Sequence, residues 1–177
     1  MSKKERFVRS YFRYAFEFMT AGFIGWVYEV ATLWIMYRYY DNRGMLHMPI
    51  IPIYAVGAFM LLIIFRDKCS PLQIFVFASV ITTAFELAAS YLLEWIFHVQ
   101  FWTYSGWALS ILDRSSVISS LIFGLLAVLY FKVIHPLSEK LCDALPLWVC
   151  AALAVTASAA VAVDTVISAK ELLSVQI

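Results

Sequence analysis

The sequence predicts an all-α fold, a polytopic transmembrane helical bundle of about five spans. Three observations carry that prediction. The 177 residues are 63% hydrophobic and only 14% charged, too little polar surface for a soluble domain of this size. The apolar residues fall into runs of about 20, the length that crosses a bilayer as a helix. Clusters of turn and breaker residues separate those runs. A mean hydropathy of +0.83 agrees, and a net charge of +1 leaves no broad basic field for nucleic acid. The whole chain, 1–177, reads as a single membrane domain.

The first span is predicted over Phe16–Tyr37. Lys3, Lys4, Arg6, Arg9 and Arg13 precede it like the basic region of a signal peptide. The apolar run is too long for one, however, and no small-residue cleavage site follows, so the helix is expected to be retained. The second span, Pro49–Phe65, is short and predicts a tilted or partly broken helix. The third, Leu72–Phe97, is long and is expected to leave the membrane before Trp102. Ser116–Ile134 and Leu147–Ser168 complete the five. Breaks are predicted at Asp41–Gly44, Arg66–Pro71, around Ser105-Gly106, at His135-Pro136 and at Pro146. The loop His98–Ser115 is rich in Trp and Tyr, which suits either an interfacial belt or a re-entrant segment capping a polar interior.

Basic residues set the expected orientation. The five N-terminal ones fall on one side with Arg66, Lys68, Lys132 and Lys140, and Arg38, Arg43, Arg114 and Lys170 fall on the other. This predicts a multi-pass protein of the bacterial cytoplasmic membrane, with the N-terminus in the cytoplasm and the C-terminus outside. Cys69, Cys142 and Cys150 form no paired motif, and their odd number points to free thiols.

The residues that stand out are carboxylates inside spans. Glu29 interrupts the first span and Glu86 the third, at about 2.5–3.5 kcal/mol each for a charge near the bilayer centre. Thr83, Glu86, Ser90 and Glu94 follow helical spacing along one face. Asp164 lies in the outer half of the fifth span, and Arg43 and Arg114 come from the two outer loops. Because a charge within the membrane is cheapest when paired, a carboxylate–arginine cluster is expected. Such a cluster either locks helix packing or receives a polar or cationic solute. A proton relay is a further alternative. His47, His98 and Glu94 lack metal-ligand spacing, so no metal site is expected. No cofactor, no nucleophile-elbow serine and no phosphate-binding P-loop are read in the chain, so any ATPase would be a separate subunit. The Ala-, Ser- and Thr-rich stretch Ala151–Ala162 allows close helix packing within the protein or against a partner.

Several segments together resemble a family of small bacterial membrane proteins, the CmpB-like putative ABC-transporter type IV permeases. They are Gly25-Trp26-Val27-Tyr28-Glu29, Asn42-Arg43-Gly44 running on to Pro49-Ile50-Ile51-Pro52-Ile53-Tyr54, Thr83-Ala84-Phe85-Glu86 with Tyr91–Glu94, and Trp102-Thr103-Tyr104-Ser105 followed by Ser120 and Gly124. The resemblance covers roughly Phe16–Gly124. Thr103 stands where the family has Asp, Ser110 and Asp113 where it has Asn and Gly, and Met48 and Ala55 where it has Gly.

The resemblance implies a membrane fold and a transport-related role. Charges and motifs together set Glu29, Arg43, Tyr54, Glu86 and Glu94 as the expected polar interior, with Asn42, Trp102, Tyr104, Arg114 and Asp164 as secondary candidates. Gly44 is expected at a turn with positive φ. Pro49 and Pro52 either break a helix inside the bundle or simply start one. Arg43 can reach a carboxylate bidentately, and Tyr54 can donate to the same group. The expected activity is that of a transport permease subunit. The alternatives are a substrate-capturing module of a multi-subunit importer, or a membrane enzyme or scaffold at the headgroup region. Expected partners are the lipid bilayer, a separate ATPase or other membrane subunit, and a second copy as a homodimer.

Overall fold

The computed structural model describes residues 2–65 and 69–174. The sequence-based orientation also used Arg66 and Lys68, which lie outside the described residues. The elements run α1 (Lys3–Tyr37), α2 (Pro52–Phe65), α3 (Pro71–Phe97), a two-stranded ribbon of β1 (Ser110–Ile111) and β2 (Ser115–Ser116), α4 (Val117–Leu129), a π-helical turn (Tyr130–Ile134), α5 (His135–Ala144) and α6 (Leu147–Ser174). Among the described residues, four stretches are long and apolar enough to cross a membrane: Lys3–Tyr37, Pro71–Phe97, Val117–Ala144 and Leu147–Ser174. Helix α2, expected as a short span, is apolar but only 14 residues long, and the fold is all-α.

Two element boundaries differ from expectation. Helix α1 starts at Lys3 rather than Phe16, because Ser2 caps it. The Ser2 hydroxyl accepts the Glu5 N–H while the Glu5 carboxylate accepts the Ser2 N–H. The five basic residues are therefore helical.

The break expected at His135-Pro136 does not occur. Proline lacks an N–H and its ring crowds the carbonyl four residues back, which here is Lys132. The wider π turn over Tyr130–Ile134 takes up that clash, and the helix continues to Ala144. The connection to α6 shrinks to Leu145 and Pro146.

Elsewhere the breakers act as read. Pro52 opens α2, so the helix starts there rather than breaking within the span. Ser70 caps α3 through a reciprocal pair with Gln73. Gly44 and Gly106 take φ of +91° and +84°.

The chain divides into two compact units, Met1–Val56 with Lys132–Ile177, and Gly57–Phe131. In the first, α1 packs on α5 and α6. Its core is Phe12, Cys142, Cys150 and Ala154, with Val8, Ala15 and Phe16 against them. In the second, α3 packs on α4. There Gly124 of α4 lies so near Phe75 and Ser79 of α3 that no Cβ would fit, the close approach that small residues permit.

Candidate functional site

In the first unit, one face of α1 builds a site around Glu29. The backbone N–H of Ile51 donates to the Gly22 carbonyl at 3.0 Å, which docks the end of the α1–α2 loop on the helix. The Tyr54 ring lies where a side chain at Gly25 would be. With Gly25 bare, the Tyr54 hydroxyl reaches Glu29 Oε1, one turn further along the same face, at 2.9 Å. Arg43 Nε donates to Glu29 Oε2 at 3.4 Å. The contact is single rather than the bidentate one expected, and the rest of the guanidinium is left partly open. The side chains of Glu29 and Arg43 are 24% and 29% exposed, so the pair is reachable.

The loop that delivers Arg43 is itself braced. Trp26 Nε1 donates to Asn42 Oδ1 at 2.7 Å, and Asn42 Nδ2 donates to the Leu46 and His47 carbonyls. Gly44 makes the turn between them.

Asp164, read from sequence as part of a carboxylate–arginine cluster, is partnered by histidine instead. It accepts from the backbone N–H groups of His47 (3.3 Å) and Met48 (2.9 Å), and its Oδ1 lies 2.9 Å from His47 Nδ1. His47 Nε2 lies 3.1 Å from Glu171. A neutral imidazole has one N–H, so two carboxylates on its two nitrogens favour the doubly protonated ring. The hydrogen bond to Asp164, with Glu171 adding its charge, holds the His47 pKa above the ordinary imidazole value.

In the second unit, the polar face of α3 meets the 98–116 loop. Thr83 is hydrogen-bonded to Ser120 of α4. Glu86 is buried and accepts the Tyr104 hydroxyl at 2.8 Å. Arg114 binds the Ser90 hydroxyl at 2.9 Å and the Glu94 carboxylate, and its guanidinium lies 4.1 Å from the centre of the Tyr91 ring. Trp102 Nε1 donates to the Arg114 carbonyl at 3.0 Å.

The counter-charges are thus divided, where a carboxylate–arginine cluster was expected. Arg43 pairs with Glu29, while Arg114 pairs with Glu94. The reason is reach, since each arginine lies on a loop that folds back on its own unit.

A fourth group was missed from sequence. Glu17 is fully buried. It accepts the Ser138 hydroxyl and lies 2.9 Å from His135 Nδ1, with Arg13 and Glu139 beside it. Glu17 sits between two phenylalanines at the edge of the first apolar run, which made it look like a flank. His135, Ser138 and Cys142 share one helical face, and that spacing was the available signal. The expected break at His135 hid it.

The family model described as Putative ABC-transporter type IV matches residues 16–169. The chain belongs to this family. No curated protein and no solved structure matches it. Membership and the apolar helices make this a multi-pass, transport-related membrane protein.

The local geometry suits the residues that the resemblance implied at two positions where this chain was expected to differ. Thr103 Oγ1 accepts the Ser105 N–H at 3.2 Å, the turn that an aspartate there would also form. Asp113 has φ of +55°, a conformation that glycine adopts more easily.

Proposed function

We propose that this chain is a transport permease subunit of the bacterial cytoplasmic membrane, and that Glu29 with Arg43 and Tyr54 contacts the solute. In this reading the N-terminus is cytoplasmic, and a separate ATPase chain supplies the energy. One observation supports it most: Glu29 and Arg43 pair through a single long contact and keep part of their surface open. The carboxylate of Glu17, by contrast, is sealed inside. A structural lock is cheapest when closed and fully hydrogen-bonded, whereas a receiving site needs groups that can exchange partners. Glu29 offers acceptor oxygens to a cationic or hydroxylated solute, and Arg43 can swing from Glu29 to an anionic group.

The test is purification of the full chain from its native membrane in mild detergent, followed by mass spectrometry and assay of ATP hydrolysis. An ATP-hydrolysing subunit should co-purify at near-equal amounts. Glu29→Gln should leave that assembly intact while abolishing solute-stimulated hydrolysis after reconstitution with membrane-depleted cell extract as the solute source. A chain that purifies alone, or a Glu29→Gln complex that responds like wild type, overturns the proposal.

A further inference from the structure

The second unit carries a feature that the transport reading does not use, the hairpin Tyr104–Ser116. It is a fully braced turn. The Tyr104 N–H donates to Asp113 O at 2.9 Å, Trp107 N–H to Tyr104 O at 3.0 Å, Arg114 N–H to Ile111 O at 3.1 Å and Val117 N–H to Leu109 O at 3.1 Å. The ribbon pairs Ser110 with Ser116 and Ile111 with Ser115. The Ser110 hydroxyl adds a bond to Asp113.

This bracing holds three non-glycine residues in the left-handed region: Leu109 (φ 57°), Leu112 (φ 53°) and Asp113 (φ 55°). Leucine is a poor residue there because its Cβ crowds the backbone. In the Ile111–Arg114 turn both central residues have positive φ, the pattern of a type I′ turn, where Asn-Gly is favoured. Yet Leu109 and Leu112 are each 68% exposed. A hairpin that ends in water would gain twice from a polar residue at 112, in backbone strain and in solvation.

We infer that the tip of this hairpin, Leu109 and Leu112, inserts into the boundary between headgroups and acyl chains of the bilayer and anchors the 98–116 loop to the membrane surface. The occupant follows from the position in the chain. The loop leaves α3 at Phe97 and re-enters α4 at Val117, both of them membrane-crossing helices by length and composition, so it lies at a membrane surface. Trp102 and Trp107, both partly exposed, belong to the residue types that settle at that depth. The hairpin carries one charge of each sign. The ion pair with Glu94 neutralises Arg114, and the exposed Asp113 carboxylate, bonded to the neutral Ser110 hydroxyl, stays at headgroup level while the leucines beside it enter the boundary. Irregular backbone is excluded from the hydrocarbon core, which limits the insertion to the boundary, about 5–10 Å deep.

The test places an environment-sensitive fluorophore at the tip of the full-length chain in phosphatidylcholine vesicles. Cys69→Ser removes the accessible thiol, and Cys142 and Cys150 are buried and stay unlabelled in the folded protein. Leu112→Cys is labelled in that background, with Leu109→Cys as a second position should the first fail to fold. Lipids brominated near the top of the acyl chain should lower the emission about twofold, and aqueous iodide should have little effect. Strong iodide quenching with no response to brominated lipid overturns the inference. So does protection from both quenchers combined with crosslinking between copies, which would make a second protein molecule the occupant.

Discussion

Replacing Gly124 by alanine tests the helix contact that organises the second unit. A Cβ at Gly124 would lie 2.7 Å from the Phe75 carbonyl oxygen and 2.9 Å from Phe75 Cδ2, and it would overlap the Ser79 hydroxyl. Ordinary carbon contacts begin near 3.5 Å, so α3 and α4 must separate by roughly 0.5–1 Å. The obstructing carbonyl belongs to the α3 backbone and cannot rotate away alone. Overpacking of this kind costs about 1–3 kcal/mol, against about 1 kcal/mol gained from alanine's helix propensity. A net loss of up to about 2 kcal/mol is expected for Gly124→Ala.

Gly57 is the internal control. Its Cβ would meet the Phe85 ring at 3.7 and 3.8 Å, ordinary contact, so Gly57→Ala should gain up to about 1 kcal/mol. The two variants should differ by the overpacking cost, about 1–3 kcal/mol, or roughly 2–12 °C in Tm for a chain of this size. Thermal unfolding in one detergent, followed by circular dichroism, measures the gap. Equal midpoints, or Gly124→Ala the more stable of the two, would refute the close-approach argument.

Three further outcomes are expected. Glu17→Ala should lose about 3–5 kcal/mol, because it removes the buried acceptor shared by Ser138 and His135 and leaves a void in a sealed pocket. Glu139→Ala, which removes a half-exposed partner of Arg13, should lose less than about 1 kcal/mol; similar unfolding midpoints for the two would contradict this. The raised His47 pKa means that the protonated ring binds more tightly in the folded state, so its contribution is complete below the ordinary imidazole range and fades as pH rises through the folded value. Tm should therefore fall over that interval in wild type and fall less in His47→Gln; an unchanged slope in the variant would remove His47 from the explanation. Finally, a maleimide should modify Cys69 in the folded protein and reach Cys142 and Cys150 only after denaturation, which mass spectrometry of the labelled chain checks.

Much of the fold was legible because it depends on local chemistry. Runs of apolar residues, Ser70 before Pro71, Pro52 and the glycine at 44 each act within a turn or two of themselves, so their consequences can be read in order along the chain. The exceptions share a cause. His135-Pro136 looked like a stop because proline's usual effect is to end an α-helix, but a widened turn just before it lets the helix continue, and His135 there meets Glu17, 118 residues away in the chain. Glu29, Arg43, Tyr54, Glu86, Glu94 and Arg114 could be picked out as polar groups in apolar or motif-bearing segments, yet their partners could not.

The sequence by itself determined that this chain is helical, crosses a membrane and carries carboxylates where they are expensive. Hydrophobic length and the cost of a buried charge are properties of a segment and need no neighbour. Only the tertiary structure decided that Arg43 meets Glu29, that Arg114 meets Glu94, that His47 bridges Asp164 and Glu171, and that Glu17 is sealed by Ser138 and His135. An ion pair or hydrogen bond forms over a few ångströms of space, and which groups come that close is set by how the helices and loops pack.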